Sequence, residues 1–338
     1  MNAAIAQSPN SSQAKSLQIV SYAKLNLFLD VLGKRADGYH ELETLFERIS
    51  LSDGIILTEL ASDEIVVSSS CRDLPTDEKN LATQAARLLK ESLNIQKGVK
   101  IEIQKNIPIG AGLAGGSSNA AAVLMGLTRL FRLKLSKKTL LSYANRLGSD
   151  VAFFVFNTRF ALGKGRGGEL KAVSVPKKTV LWHILFVPFA PVLTKDVYRL
   201  LDEDLRGLKK PKSLKIAETS AKNTESCVFF KDKKAFTNML TKKRYDVNIL
   251  ISYLKNRNTD SLNRNIYNRL SETVMKSYRF VSVLKSDLKK FGLKYVHMSG
   301  SGPTLFTTFK RREEAERLYN ALKDRFSDRC SVFLVSTQ

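Results

Sequence analysis

The chain is poor in the residues that build disulfide-bonded, zinc-binding and membrane-spanning proteins. Its 338 residues include three cysteines, Cys71, Cys227 and Cys330, which are widely separated and form no CxxC pair. This pattern argues against a disulfide framework and a zinc site, and it favours a reducing compartment. No apolar run approaches the ~20 residues that a membrane-spanning helix requires. With 43% hydrophobic and 26% charged residues, the composition is typical of a globular protein of one large or two ordinary domains.

Acidic residues are scarce as well. Lysine and arginine together number 55 against 32 aspartates and glutamates, which gives a formal net charge of +23. Such a charge attracts polyanions, so it suits a nucleic-acid-binding protein and equally an enzyme with a highly phosphorylated small substrate. Part of the excess lies in two lysine-rich stretches, 208–215 and 231–236. Charge runs of this kind usually form a solvated surface.

The first seventeen residues contain no acidic residue and no apolar core. We expect residues 1–17 to form a short disordered tail, because a secretory signal would need an apolar segment. An organelle transit peptide is the alternative, although it would normally carry more arginine. The expected location is the cytoplasm, or a plastid if the tail is part of a transit peptide.

Hydrophobic periodicity predicts mostly strands in the first hundred residues. "SYAKLNLFLDVLG" (21–33) alternates apolar and polar residues, which predicts a half-buried strand. A turn at Asp37-Gly38 follows, and then "GIILTEL" and "EIVVSSS" are typical of a hairpin. "KNLATQAARLLKESL" has helical spacing, and "GVKIEIQKNIP" predicts a further strand.

Beyond residue 115 the patterns become mixed. Helices are expected over 117–131 and 136–147, the second ending at Gly148, with "VAFFVF" and "RFALG" as short strands. A second unit starts near Thr179 with the strand "VLWHILFV" and a helix capped by Thr194. A basic insertion near 208–236, further helices and a closing strand–helix–strand segment complete it. The fold class is therefore α+β, with domains at 18–178 and 179–338.

The segment "NIPIGAGLAGGSSNAAAVL" (106–124) places four glycines between a strand and a helix. Its GxGxxG pattern matches the dinucleotide-binding fingerprint, which also requires an acidic residue about twenty positions later. No Asp or Glu occurs from 103 to 149, so that interpretation fails. A Walker A loop is excluded too, because no Gly-Lys-Ser/Thr follows the glycines.

A phosphate site is the remaining functional interpretation of this loop. Ser117 and Ser118 fall where the helix starts, so hydroxyls and free N–H groups converge at the positive end of a helix dipole. A simple helix-entry turn is the alternative, but it would need a single glycine and a single serine. The expected phosphate-binding residues are Pro108, Ile109, Gly110, Ala111, Gly112, Leu113, Ala114, Gly115, Gly116, Ser117 and Ser118.

Four segments in the same order resemble the GHMP kinase family. They are "AKLNLFLDVLGKRADGYHEL" (23–42), the glycine loop, "GSDVAFF" (148–154) and "MSGSGPTLF" (298–306). The resemblance implies a two-domain fold with an N-terminal ribosomal protein S5 domain 2-like half, which binds ATP, and a ferredoxin-like C-terminal half. The first segment is similar to the branch that phosphorylates 4-diphosphocytidyl-2-C-methyl-D-erythritol on the route to isoprenoids. Ala114 and Tyr22 depart from the family pattern, which more often has glycine and proline there.

The resemblance also implies roles for single residues. Lys24 and Asp150 would be the catalytic pair, since phosphoryl transfer needs positioning of the hydroxyl and neutralisation of charge. Without the resemblance, Asp150 would be interpreted as a cap and Lys24 as a solvated strand lysine. Mg²⁺ is expected at the ATP phosphates with Ser118 as its protein ligand. Residues expected to bind the substrate are Asn26, Tyr39, His40 and Thr194.

His40 and Thr194 have ordinary alternatives, a surface histidine and a helix cap. His183 and His297 are expected to be structural. The partners implied are ATP and a small alcohol, in a monomer or weak homodimer without a membrane or a specific nucleic acid. Two other hypotheses stay open at this point, which are a kinase for homoserine or mevalonate and a basic nucleic-acid-binding protein.

Overall fold

The computed structural model describes residues 15–207 and 245–338. The lysine-rich insertion expected near 208–236 lies outside the described residues, as do residues 1–14 of the expected tail. The first strand begins at Ser16, so the prediction of a disordered tail is wrong for residues 16 and 17.

The first half of the chain forms a mixed sheet covered by helices on one face. Its strands follow the order β3-β4-β2-β1-β8, and β5 with β6 extends from β2. The strands are β1 (Ser16–Lys34), β2 (His40–Leu60), β3 (Ile65–Ser69), β4 (Gly98–Gln104), β5 (Phe160–Gly165), β6 (Glu169–Ala172) and β8 (Tyr267–Asn268).

The long strand β2 shares one edge between two partners. Residues 54–60 pair with β4, and residues 42–47 pair with β5. Between them a stretch of β2 has neither neighbour, and the chain leaves β4 towards the glycine loop beside this stretch. The predicted β2–β3 hairpin is wrong, because β4 lies between these strands and pairs with β3 in parallel. Local alternation identifies strands but does not say which strand lies next to which.

Helices α1 (Leu81–Leu93), α2 (Gly115–Leu130), α3 (Lys137–Leu147) and α4 (Ser149–Phe156) cover the sheet. The prediction of a strand at "VAFFVF" is wrong, since these residues form α4. Five of its eight residues are buried. In a short run of consecutive apolar residues, hydrophobic periodicity cannot distinguish a helix from a strand. Gly148 ends α3 as expected, and its extended backbone also starts α4.

The second half builds an antiparallel sheet in the order β11-β7-β10-β9. The "SETVMKSYRFVSVLKSDLKKFG" segment forms two helices that meet at Tyr278. The elements are β7 (Trp182–Pro188), α5 (Thr194–Gly207), α6 (Val247–Lys255), α7 (Thr259–Asn265), α8 (Leu270–Ser277), α9 (Arg279–Lys290), β9 (His297–Met298), β10 (Leu305–Phe309), α10 (Arg312–Leu322) and β11 (Cys330–Ser336).

The two halves share a hydrophobic core. Leu25 and Phe28 of β1 pack in one cluster with Leu185 of β7 and Phe306 of β10. The α+β class is confirmed. The domain boundary at 178/179 stays a prediction. Strand β8, which comes from the second half, pairs with β1, so the first sheet contains residues from both halves of the chain. Within 15–207 and 245–338, no helix has the length and apolar character needed to cross a membrane.

Strand β1 is buried on both faces, so the expectation of a half-buried strand is wrong. Lys24, Asn26 and Asp30, the residues of its expected solvent face, are 4%, 3% and 8% exposed. A β-bulge between Asn26 and Phe28 also interrupts the simple alternation. Lys24 and Asn26 lie against the glycine loops, and Asp30 pairs with Arg269, so the polar face of β1 places charged side chains in the interior.

Candidate active site

A cleft of about 400 Å³ lies where the two halves meet. The glycine loop forms one wall, and the second glycine segment and the start of α5 form another. Polar groups from separate parts of the chain converge there. The predicted residues that line it are Lys24, Asn26, Pro108, Ile109, Gly110, Ala111, Gly112, Ala114, Gly115, Gly116, Ser117, Asp150 and Thr194.

The two glycine loops meet backbone to backbone. Gly112 has φ +75°, and a Cβ atom there would lie 2.7 Å from the carbonyl oxygens of both Ser299 and Gly302. Glycine is therefore required at position 112 both by backbone conformation and by space. The Thr304 hydroxyl donates to the Ala111 carbonyl at 2.6 Å and fixes the same contact.

The glycine loop delivers the N-terminus of α2 to the cleft. Ala114 precedes this helix in the left-handed conformation with φ 57°, where the family pattern more often has glycine. Gly115, Gly116 and Ser117 then line the cleft at the positive end of the helix dipole. This arrangement suits a phosphate, since the N–H groups of a first helical turn have no intrahelical acceptor.

Ser118 is not brought to this cleft. Its side chain is 2% exposed, and its Oγ accepts a hydrogen bond from the Ser21 hydroxyl at 2.8 Å. Successive residues of a helix point about 100° apart, so Ser117 faces the cleft and Ser118 faces β1. The geometry therefore does not support the expected role of Ser118 as a metal ligand.

Lys24 and Asp150 are brought together, as the sequence predicted. Lys24 Nζ lies 3.7 Å from Asp150 Oδ2, and it donates to Asn26 Oδ1 at 2.7 Å and to the Gly112 carbonyl at 3.1 Å. Burial lowers the pKa of Lys24 below its usual 10.5, and the charge of Asp150 opposes this shift. The side chain of Asp150 is 35% exposed, so it can meet a substrate that enters the cleft.

Asn26 holds Lys24 in place. Its Oδ1 accepts from Lys24, and its Nδ2 donates to the Thr44 hydroxyl at 2.8 Å. Thr44 in turn donates to the Phe28 carbonyl. Because its amide groups have protein partners, the geometry favours a supporting role for Asn26 over the expected direct contact with substrate.

A second lysine–aspartate pair anchors the chain before the glycine loop, and the sequence interpretation missed it. Asp53 accepts from Lys105 Nζ at 2.7 Å, from the backbone N–H groups of Asn106 and Ile107 at 2.7 and 2.8 Å, and from Asn119 Nδ2 at 2.9 Å. Burial lowers the pKa of Lys105, while Asp53 opposes the shift. The sequence did carry one signal for this pair, which is a single aspartate, Asp53, beside the alternating apolar residues of β2.

The turn between β1 and β2 carries the remaining predicted residues. Tyr39 is 52% exposed, and the Arg166 guanidinium lies 3.5 Å from its ring centroid. His40 is not an ordinary surface histidine, since its side chain is 9% exposed and its Nε2 lies 2.8 Å from Asp202 Oδ1. Arg166 lines the cleft, whereas Tyr39 and His40 lie beside its lining.

Helix α5 contributes two side chains to the cleft. Leu193 accepts the first N–H bonds of the helix, so Thr194 is its first residue and not its cap as expected. The Thr194 hydroxyl is bonded to that of Ser301 at 2.7 Å. Tyr198, which the sequence interpretation missed, lines the cleft one turn later, and burial, followed by the charge of Asp150, raises the pKa of its hydroxyl.

The other two histidines lie in the interior, as expected of structural residues. His183 is fully buried and bonds to Glu47 and Thr308. Burial lowers the pKa of His297 to about 3, followed by the charge of Lys285. Neither lines the cleft.

Comparison with known proteins agrees with this geometry. The sequence profile of the GHMP kinases N terminal domain matches residues 80–158, and that of the GHMP kinases C terminal matches residues 250–328. The 4-diphosphocytidyl-2-C-methyl-D-erythritol kinase of Bacillus subtilis (strain 168) is 40% identical over 301 residues, which cover 89% of this chain and 91% of the relative. The chain belongs to this kinase family.

Another 4-diphosphocytidyl-2-C-methyl-D-erythritol kinase, that of Bacillus cereus (strain B4264), is 37% identical over 307 residues, 91% of this chain and 93% of the relative. A crystal structure of 4-(cytidine 5'-diphospho)-2C-methyl-D-erythritol kinase superposes with a TM-score of 0.69 and 27% identity, covering 95% of this chain and 98% of that one. A homoserine kinase from Cytophaga hutchinsonii has a TM-score of 0.65 at 19% identity over 98% and 97% of the two chains, which shows the fold alone.

The family assignment confirms the kinase interpretation and the use of ATP. It also replaces the hypothesis of a basic nucleic-acid-binding protein, which accounted for the net charge but not for the cleft. This member of the 4-diphosphocytidyl-2-C-methyl-D-erythritol kinase family thus has the expected two glycine loops and a lysine–aspartate pair between them.

Proposed function

We propose that the chain transfers the γ-phosphoryl group of ATP to the 2-hydroxyl of 4-diphosphocytidyl-2-C-methyl-D-erythritol. The observation that carries this proposal is the Lys24–Asp150 pair, which lies beside the N-terminus of α2 in the cleft between the two halves. Relatives with 37–40% identity over most of the chain are named 4-diphosphocytidyl-2-C-methyl-D-erythritol kinase. The product would be an intermediate for isoprenoid biosynthesis.

Asp150 would orient the substrate hydroxyl and take its proton. Its carboxylate is partly exposed in the cleft, within reach of a bound alcohol. The buried ammonium group of Lys24 lies 3.7 Å from Asp150 Oδ2 and would neutralise charge that develops on the transferred group. Phosphoryl transfer depends mainly on such positioning and electrostatic stabilisation.

The ATP phosphates would lie on the first turn of α2. Gly115, Gly116 and Ser117 of this turn line the cleft, and Lys105 lines it as well. The loop itself carries no acidic residue, and Lys105 balances the buried charge of Asp53, so the field at the start of α2 remains favourable for an anion. The anchor at Asp53 would keep the loop in position before ATP binds.

Mg²⁺ fits this cleft as an ion held mainly by the phosphates. In the described parts of the chain, no group of three or more His, Cys, Asp or Glu side chains is arranged for a metal. Ser117 is the cleft hydroxyl at the start of α2 that would serve in place of Ser118. Mg²⁺ commonly takes few protein ligands, and when bound it would neutralise phosphate charge.

The cytidine end of the substrate would lie towards the β1–β2 turn. His40, Tyr39 and Tyr198 place three aromatic rings on this side, and Arg166 brings a positive charge to the cleft beside Tyr39. Aromatic faces can stack on a base, and ring nitrogens can bond to its polar edge. Thr194 would contact the part of the substrate nearest the second glycine loop.

The test is ADP release by the purified protein with magnesium-ATP and one alcohol at a time. We expect turnover with 4-diphosphocytidyl-2-C-methyl-D-erythritol and none above background with homoserine, mevalonate or galactose. Turnover with one of those alcohols and none with the cytidine substrate would contradict the proposal.

Location and assembly are proposals as well. The scattered cysteines support a reducing compartment such as the cytoplasm, and the relatives compared are bacterial enzymes. A monomer or weak homodimer stays a prediction, which sedimentation equilibrium of the purified chain would check.

A further inference from the structure

The carboxylate of Asp202 joins the β1–β2 turn to helix α5. Its Oδ1 lies 2.8 Å from His40 Nε2, and its Oδ2 lies 2.5 Å from Lys34 Nζ. Burial acts to raise the pKa of Asp202, but the hydrogen bonds from His40 and Lys34 outweigh it and leave the pKa below its ordinary value. Asp202 is therefore a negatively charged acceptor at neutral pH.

The imidazole of His40 is fixed on a second side by the same helix. Its ring stacks on that of Tyr198, with centroids 4.8 Å apart and an interplanar angle of 26°. Tyr198 lines the cleft and precedes Asp202 by one helical turn. Within the described chain, the other ring nitrogen of His40, Nδ1, has no hydrogen-bond partner.

The chemistry of the two groups determines which nitrogen carries the proton. An ionised carboxylate can only accept hydrogen bonds, so Nε2 of His40 must be the donor. A neutral imidazole has one donor and one acceptor, so Nδ1 is then an acceptor. Lys34, which can only donate, occupies the second carboxylate oxygen and keeps Asp202 in this orientation.

We propose that Asp202 is a positioning residue that fixes His40 in the Nε2–H tautomer and thereby selects a pyrimidine with an exocyclic amino group. This inference rests on the proposed function, because it assumes that the base of the substrate reaches His40. Cytosine presents an amino donor where uracil presents a carbonyl acceptor. An acceptor at Nδ1 bonds to the first and repels the second.

The neighbouring lysine makes the Asp202→Asn substitution informative. An amide has one donor end and one acceptor end, and Lys34 requires the acceptor. The amide nitrogen is then left facing His40 Nε2, which must become an acceptor, so the proton moves to Nδ1. Replacing Lys34 by methionine removes this requirement and allows the amide oxygen to face His40 again.

The kinetic experiment compares the cytidine substrate with the same diphosphate alcohol carrying uridine. For Asp202→Asn we expect KM for the cytidine substrate to rise ~10-fold, kcat to stay within ~2-fold, and the cytidine preference in kcat/KM to fall ~10-fold, the effect of one lost hydrogen bond to a base. Adding Lys34→Met should restore most of the preference. An unchanged preference in Asp202→Asn would overturn the inference.

A matched control lies next to Asp202 on α5. Glu203 pairs with Arg199 at 2.8 Å and is 53% exposed, away from His40. Glu203→Gln makes the same change of charge one residue away, so it should leave KM, kcat and base preference unchanged. An equal loss of preference in Glu203→Gln would show a general effect of charge and overturn the role assigned to Asp202.

Nitrogen-15 NMR reads the tautomer without any substrate. The chain has 3 histidines, so His40 is assigned by comparison with His40→Asn. We expect Nε2–H in the wild type and Nδ1–H in Asp202→Asn. A doubly protonated or Nδ1–H ring in the wild type, or an unchanged tautomer in the variant, would overturn the inference.

The two proposals fail in different ways. If the wild type does not phosphorylate the cytidine substrate, the proposed function is wrong, and the proposed base selection falls with it whatever the tautomer is. If the wild type is active but the Asp202→Asn variant keeps its tautomer or its base preference, the inference is wrong while the proposed function stands.

Discussion

Two lysine–aspartate pairs flank the first glycine loop, and they differ in how completely their charges are satisfied. Lys105 and Asp53 lie 2.7 Å apart with side chains 5% and 0% exposed, and two backbone N–H groups and Asn119 also donate to Asp53. Lys24 and Asp150 are 3.7 Å apart, and Asp150 is 35% exposed. The first aspartate has its partners already, whereas the second keeps capacity for a ligand.

This difference separates an anchor from the proposed reactive group. A buried carboxylate with four donors stabilises the segment around it but cannot accept another proton without losing those bonds. A partly exposed carboxylate beside a single buried ammonium group still has lone pairs that can accept a hydrogen bond from a ligand. Pairs of the same composition can therefore have opposite tasks, and the number of hydrogen-bond donors on the aspartate distinguishes them.

The largest effect is expected from removing the reactive carboxylate. Asp150→Asn should lower kcat by about 10²–10⁴-fold, the contribution typical of a general base. Its loss in the free energy of unfolding should be smaller than that of Asp53→Asn, because Asp150 is 35% exposed and lies 3.7 Å from Lys24. ADP release and urea unfolding measure the two quantities. Asp328→Asn, at a side chain 73% exposed, is the control and should change neither. A variant that keeps more than a tenth of wild-type kcat would contradict the assignment.

Removing the anchor should have the opposite profile. Asp53→Asn leaves the buried Lys105 without its counter-charge, so we expect a loss of about 3–5 kcal/mol in the free energy of unfolding. The folded fraction should retain phosphoryl transfer with a raised KM for ATP. Asp73→Asn, at an exposed side chain of the same residue type, is the control. Full stability with a lost kcat would reverse the roles of the two pairs.

Double-mutant cycles sharpen the comparison further. Asp53→Asn combined with Lys105→Met removes both buried charges, so the double variant should be more stable than the sum of the single effects predicts, by roughly 1–3 kcal/mol. The Asp150→Asn and Lys24→Met cycle should show a smaller coupling, because this pair is 3.7 Å apart and Asp150 is partly exposed. Equal coupling in the two cycles would mean that the pairs do not differ as their geometry suggests.

The smallest effect concerns pH. Burial lowers the pKa of both Lys24 and Lys105, and the unfolded chain regains the ordinary value. Between the folded pKa and about 10.4 the unfolded chain binds more protons, so the free energy of unfolding rises with pH. Lys24→Met and Lys105→Met should each flatten this rise in urea unfolding measured upwards from about pH 8. Lys171→Met, at an exposed lysine, is the control and should leave the rise unchanged. The same dependence of the free energy of unfolding on pH in all variants would contradict the expectation.

Much of the site could be predicted because it lies in short motifs. The glycine loop, Lys24 and Asp150 were identified from adjacent residues and their resemblance to one family, and the structure brings them together. The helices α1 and α3 were identified from periodicity. The strand predicted at α4 failed because its apolar residues contain no such signal.

The sequence by itself determined the glycine loop at the start of α2 and the α+β class, since glycine conformation and hydrophobic periodicity are local properties. The tertiary structure alone decided which aspartates have partners. Asp53 meets Lys105 across 52 residues, and Asp202 meets His40 across 162. Charge satisfaction depends on the three-dimensional neighbours of a carboxylate, and strand order and helix packing bring those neighbours together from distant parts of the chain.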